Sequence, residues 1–150
     1  MSLESVRAFL KEKAPDIQIV ELGQSSSTYT LAAEWDVKPA QIAKSLLLRS
    51  GERCILLVAC GDARLDNQKS KAALGGKFKM VPAAEAEAIT GHPVGGVCPF
   101  GLATPLEIFC DIKLNEFDVV VPGAGSTHHA FKINPIRLAE LSGAKWIDAC

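Results

Sequence analysis

The sequence has no excess of charge of either sign. Sixteen Lys and Arg stand against seventeen Asp and Glu, a formal net charge of -1, which excludes a histone-style polycationic binder of DNA. It has no long apolar run. The longest, Cys54 to Cys60, falls short of the ~18 residues of a membrane span and fits a buried strand. The opening MSLESVRAFLKEKAP sets Leu3, Val6, Phe9 and Leu10 at helical spacing with charge between them. That is an amphipathic helix, not the continuous apolar core of a signal peptide, so a cytoplasmic protein with no membrane partner is expected. No CxxC pair occurs, and Cys54, Cys60, Cys98, Cys110 and Cys150 are odd in number with no metal-type spacing. P-loop and dinucleotide fingerprints are missing, as are a Ser/His/Asp order and paired carboxylates in the Gly-rich loops. Neither a cofactor nor a metal is expected. There is no internal repeat, linker or low-complexity tract.

What is present suits one globular domain over residues 1–150. Hydrophobic residues make up 48% and charged residues 22%, and a chain this long buries roughly two-thirds of its unfolded surface. A small enzyme or a ligand-binding domain is left.

Periodicity and punctuation predict helices over 3–14, from a Ser25–Thr28 cap through Thr30 to Trp35, over Pro39–Ala43, Asp66–Leu74, Pro82–Thr90 and Pro135–Gly143. Strands are predicted over Ile17–Glu21, Ser45–Arg49, Arg53–Cys60, Phe78–Val81, Glu107–Lys113, Phe117–Val121 and Ala130–Ile133. Helices and strands interleave, yet several strands have tight connections. The expected fold is α/β (α+β): a mixed, largely antiparallel or barrel-like sheet flanked by helices.

Charge is segregated within the neutral total. Lys44 to Lys79 holds eight basic and three acidic residues, and the rest of the chain eight basic and fourteen acidic. The basic segment is either a solvated surface or a patch for a phosphate backbone.

Three features carry chemistry. Gly95-Gly96-Val97-Cys98-Pro99-Phe100-Gly101 cannot be regular structure; it is either a structural turn or an irregular backbone whose N–H groups hold a carbonyl or oxyanion. Lys44, in apolar surroundings where a helix is expected to give way to a strand, is either a helix C-terminal cation or faces a ligand. His128 and His129 sit in a loop between strands, where a His serves as a base or pocket donor. Cys54, Cys60 and Cys110 sit in apolar segments, whereas Cys98 lies in the Gly- and Pro-rich loop; as a nucleophile it would need a base such as His92. A Gly-rich amide donor, a Lys and a loop His suit hydrolysis of an already activated acyl bond by water, or plain binding of an anion.

These residues resemble the YbaK/ProX family across nearly the whole chain. The likeness runs through Ser26-Ser27-Thr28, Ala32-Ala33, Val37 and Gln41-Ile42-Ala43-Lys44-Ser45-Leu46. It continues with Asp66, Lys71, Leu74 and Gly75, the Gly95–Gly101 loop, Asp111, Gly125-Ser126-Thr127-His128-His129-Ala130-Phe131, Asn134-Pro135 and Leu138. Family members are free-standing aminoacyl-tRNA deacylases, similar to the editing domain of bacterial prolyl-tRNA synthetase. The resemblance implies a trans-editing hydrolase that takes a small wrong amino acid from the acceptor end of mischarged tRNA, commonly tRNA(Pro), with prolyl-tRNA synthetase as a possible partner. It implies that Lys44 meets the terminal phosphate or aminoacyl end. The Gly95, Gly96 and Pro99 backbone would hold the carbonyl while water and a ribose hydroxyl do the chemistry. Thr28, Ser45, Val97, Cys98, Phe100, Gly101 and His129 would line the substrate site. Some relatives carry an Asp near Ala130; its absence here speaks against a cysteine-specific assignment, and His129 resembles the branch with a His in that loop. The competing readings are a non-catalytic tRNA- or synthetase-binding module of the same fold, and a cysteine hydrolase through Cys98.

Overall fold

The computed structural model describes residues 2–22, 32–93 and 95–150. Thr28 and the expected Ser25–Thr28 cap lie outside the described residues. Two long strands, β2 (Ile42–Ser50) and β3 (Arg53–Cys60), form an antiparallel hairpin in full register from Ala43↔Cys60 to Ser50↔Arg53. Gly51 and Glu52 close it, with Gly51 at φ +60°. Short edge strand β4 (Lys79–Met80) pairs antiparallel with β2, while β5 (Glu107–Asp111) adds parallel to β3 and β8 (Lys145–Ile147) parallel to β5. The order β4-β2-β3-β5-β8 is an open mixed sheet, with β6 (Val121–Pro122) parallel to the start of β2. A separate ribbon joins β1 (Val20–Glu21) to β7 (His129–Ala130).

Strand alternation sorts the core onto two faces. Ala43, Leu47, Leu56, Val58, Ile108 and Cys110 face one cluster, completed by α1 (Ser2–Lys13), α3 (Ala83–Thr90), α4 (Pro135–Ser142) and the Gly-rich loop. Leu48, Ile55, Leu57, Ala59 and Phe109 face the other, covered by α2 (Asn67–Leu74), Phe78 and the C-terminal Ala149 and Cys150. The helix ends follow their local chemistry. Asp66 accepts from the N–H groups of Gln68 and Lys69 at the head of α2, and Asn134 does the same for Ile136 and Arg137 ahead of Pro135 in α4.

Several expected elements are shortened or replaced. Pro39–Gln41 is a single 3₁₀ turn, and the strand begins at once at Ile42. Lys44 is therefore a strand residue, and its reading as a helix C-terminal cation falls away. The apolar run after Gln41 finds a complete antiparallel partner in β3, and that ladder outweighs a helix of one turn. The strand expected over Glu107–Lys113 ends at Asp111, whose carboxylate accepts from Lys113 N–H and starts a 3₁₀ turn, Ile112–Glu116. Phe117–Val121 and Ala130–Ile133 shrink to β6 and β7 plus the isolated bridges Val120↔Ile133 and Gly123↔Ala130. Strand β8 had no counterpart in the sequence reading. No helix among the described residues is long and apolar enough to cross a membrane.

Candidate active site

Two loops meet at one end of the hairpin. In the first, Gly95 has φ +90°, and Gly96 N–H donates to Pro93 O at 2.9 Å in a tight turn. In the second, Gly123 to His129, Gly125 N–H donates to Gly96 O at 2.9 Å. The approach is too close for any side chain at position 96: a Cβ there would lie 2.5–2.8 Å from the backbone of Ser126. At Gly95 it would come within 3.3 Å of the Thr127 methyl, and at Gly123 within 3.6 Å of Gly95 O. Gly96 is thus required for space, because backbone lies against backbone.

The second loop is fixed by its own side chains. Ser126 Oγ accepts from His128 N–H and pairs with His129 Nδ1 at 3.0 Å; Thr127 Oγ1 pairs with His128 Nδ1 at 2.8 Å. Gly95 and His128 are exposed, while Val97, Ser126, Thr127 and His129 are half-buried. The Val97 and Cys98 N–H groups have no hydrogen-bond acceptor among the described residues. The Gly96 N–H, by contrast, is consumed inside its turn.

Lys44 reaches this region through strand register. Ile42 and Ala43 pair with Val121 and Pro122 of parallel β6, which brings Gly123 to the level of Lys44. The half-buried Lys44 ammonium donates to the carbonyls of Gly61 and Ala63. A lysine has three N–H donors, so one remains. Ser45 points to the opposite face of β2, between Ala43 and Leu47, and its buried Oγ has no partner among the described residues.

Residues 24–141 match the model of the aminoacyl-tRNA editing domain. The chain belongs to that family. It is 43% identical over its full length to 98% of the uncharacterized protein YwhH of Bacillus subtilis (strain 168). It is 27% identical over 78% of its length to a proline--tRNA ligase of Bacillus licheniformis, of which it spans only 21%. A crystal structure described as a proposed trans-editing enzyme for prolyl tRNA synthetase superposes with a TM-score of 0.91 at 28% identity, covering 99% of this chain and 96% of that one.

Within this editing domain, the second half of the Gly-rich loop turns inward. Pro99 is buried, and Phe100 is fully buried and stacked on Phe9 of α1 at 5.1 Å. Burying such a ring stabilises by about 1.5–3 kcal/mol. Gly101, at φ +62°, lies against the Ser5 backbone and accepts from Ser5 Oγ through its carbonyl. Cys98 is also fully buried, its thiol pushed up to about 12 by desolvation. His92 stands near it, Nε2 3.9 Å from the sulfur, but that nitrogen bonds to Phe100 O at 2.8 Å. It therefore carries the proton and is no base toward the thiol. Burial lowers the His92 pKa below its ordinary value and keeps the ring neutral. Cys98 thus lacks both the base and the access that a cysteine nucleophile needs.

The structure brings together Gly95, Gly96, Val97 and His129, and sets Lys44 at the adjoining strand level. It turns the side chains of Cys98 and Phe100 into the core. Ser126, Thr127 and Gly123 were missed as candidates, although the glycine-flanked Ser-Thr-His-His stretch marked them as irregular. Among the described residues, no group of three or more potential ligands is placed to hold a metal.

Proposed function

We propose that this editing domain is a free-standing aminoacyl-tRNA deacylase that hydrolyses the ester of a mischarged tRNA, with tRNA(Pro) carrying a small wrong amino acid as the first candidate. The observation that carries this reading is the half-buried Val97 N–H, which has no acceptor among the described residues, on a loop clamped against Ser126 at the strand level of Lys44. Preorganised backbone donors suit an oxyanion, and removal of one such donor elsewhere costs about 10²–10³ in rate. The ester is already activated, so orientation supplies much of the remainder.

Water adds to the ester carbonyl carbon, and the negative oxygen is held at the Val97 N–H. Collapse breaks the bond to the ribose oxygen, which takes a proton. The products are free amino acid and uncharged tRNA. The remaining N–H of Lys44 binds the terminal phosphate or the aminoacyl end. Val97 and His129 shape the amino-acid pocket, and the family resemblance adds Thr28 and Ser45. Pro99, Phe100 and Gly101 position the loop from beneath. A second, small pocket serves editing because one hydrophobic pocket cannot strongly reject a near-isostere.

The test is deacylation of tRNA(Pro) charged separately with alanine, cysteine, serine, threonine and 2-aminobutyrate, with Lys44→Ala beside wild type. Selective hydrolysis of one or two species, lost in the variant, is the expected result. No hydrolysis of any species, together with retained tRNA binding, would turn the assignment to a binding module.

A further inference from the structure

The excess of cations between Lys44 and Lys79 does not form one uniform patch. Arg49 is paired with Glu85, Arg53 with Glu107 and Lys69 with Asp148. Arg64, Lys71 and Lys77 are exposed and have no carboxylate within ion-pair distance among the described residues. Their positions follow α2. This helix starts just after the Gly61–Ala63 turn that holds the Lys44 ammonium, and it ends where Leu74 O accepts from Arg53 at the start of β3. It therefore runs back along the whole hairpin, away from the candidate active site. Arg64 stands at its head, next in sequence to Ala63. Lys71 lies on its exposed surface, and Lys77 follows its Gly75 cap.

Two of the acidic neighbours along this line are engaged. Asp66 caps α2 and Asp148 is tied to Lys69. Asp62 and Glu52, the latter in the hairpin turn, are exposed and have no cation within ion-pair distance among the described residues.

We propose that Arg64, Lys71 and Lys77 form a phosphate track for the duplex stem of the RNA whose 3′ end enters the site beside Lys44. This rests on the deacylase reading for the identity of the RNA, but not for the binding itself. The occupant is a nucleic-acid backbone because the track is made of unpaired cations with no apolar groove, and it is continuous with the turn that holds Lys44. Eight helical residues span roughly 12 Å, enough to follow successive phosphates.

The experiment titrates wild type, an R64Q/K71Q/K77Q variant and a K11Q/K13Q control with an uncharged RNA hairpin that copies the tRNA(Pro) acceptor stem and its CCA end. The control removes two exposed cations of α1, on the opposite face of the sheet. Binding is measured at several salt concentrations. The triple variant should lose roughly tenfold or more in affinity, and its log–log salt slope should shrink by about two to three, near one unit per lost phosphate contact. The control should match wild type, and Asp62→Asn should bind somewhat tighter. Equal slopes for the triple variant and wild type would overturn the track, as would an equal loss in the control. Hydrolysis of a short aminoacyl-trinucleotide ester separates the two readings. If wild type and the triple variant cleave it equally while stem binding drops, both stand. If neither cleaves it and stem binding still drops, the track stands and the deacylase reading falls.

Discussion

Gly96 and Gly75 are both glycines beside a turn, and they are glycines for different reasons. Gly75 caps α2 at φ +75° with nothing within 4 Å of the place a Cβ would take. Its requirement is conformational, and its cause lies within a few residues of chain. At Gly96 the positive φ is absent and the space is full: the backbone of Ser126, thirty residues away, occupies the Cβ position. A local glycine ends a helix, whereas a packed glycine holds two loops together and with them the candidate site.

The sharpest way to break this contrast is to put a methyl group at each position. Gly96→Ala must part the two loops; we expect at least 100-fold loss of deacylation and about 1–3 kcal/mol of stability, read from tRNA turnover and urea unfolding. Gly75→Ala should cost about 1 kcal/mol through left-handed strain and leave turnover unchanged. Equal effects at the two positions would erase the distinction.

Lys44→Ala extends the comparison to the strand residue level with Gly123. It should lower turnover roughly 100-fold, with a stability change of about 1 kcal/mol or less because its partners are two carbonyls in a half-buried turn. Unchanged turnover would remove Lys44 from the site. Cys98→Ser tests the underside of the same loop. The shorter hydroxyl is buried with Phe100 O as its nearest acceptor, so stability should fall by about 1–2 kcal/mol while turnover stays within about threefold. Loss of all activity with an intact fold would reinstate the thiol.

The smallest expected effect is that of pH on the loop's buried imidazole. His92 is neutral in the folded chain with its pKa lowered by burial, while the unfolded chain takes up a proton near the ordinary 6.5. The unfolded state therefore binds more protons below that value, so stability falls as pH drops from 7.5 to 5.5, by at most about 1.4 kcal/mol per unit. The Asp16 carboxylate, held at about 2 chiefly by its hydrogen bonds to Arg137, loses its stabilisation only as pH falls below the ordinary carboxylate range and does not confuse that window. His92→Gln should flatten the urea midpoint between these two pH values. A slope equal to wild type would place the proton elsewhere.

Much of the fold was legible along the chain. The Ser50–Arg53 turn and the Gly75 and Gly143 helix ends all depend on neighbours a few residues apart. The Gly-rich loop and Lys44 were also legible as unusual residues in unusual surroundings. The errors share a cause. Lys44 was assigned to a helix boundary because its strand partner, Ala59, is fifteen residues on, and β8 escaped because its partner is β5. The Phe100 and Cys98 side chains face the core, and nothing in their own segment reveals that α1 lies beneath them.

The sequence by itself determined where this chain turns, which helices are capped, which strands are apolar on alternate residues, and that it resembles the editing family to which it belongs. Those properties come from backbone conformation and side-chain periodicity, which act over one or two turns of chain. The tertiary structure alone decided that Gly96 abuts Ser126, that Gly123 comes level with Lys44, that the Cys98 thiol is sealed beneath the loop, and which cations stay unpaired along α2. These follow from close packing and electrostatic pairing between segments far apart in sequence, where a few tenths of an ångström separate an open loop from a filled one.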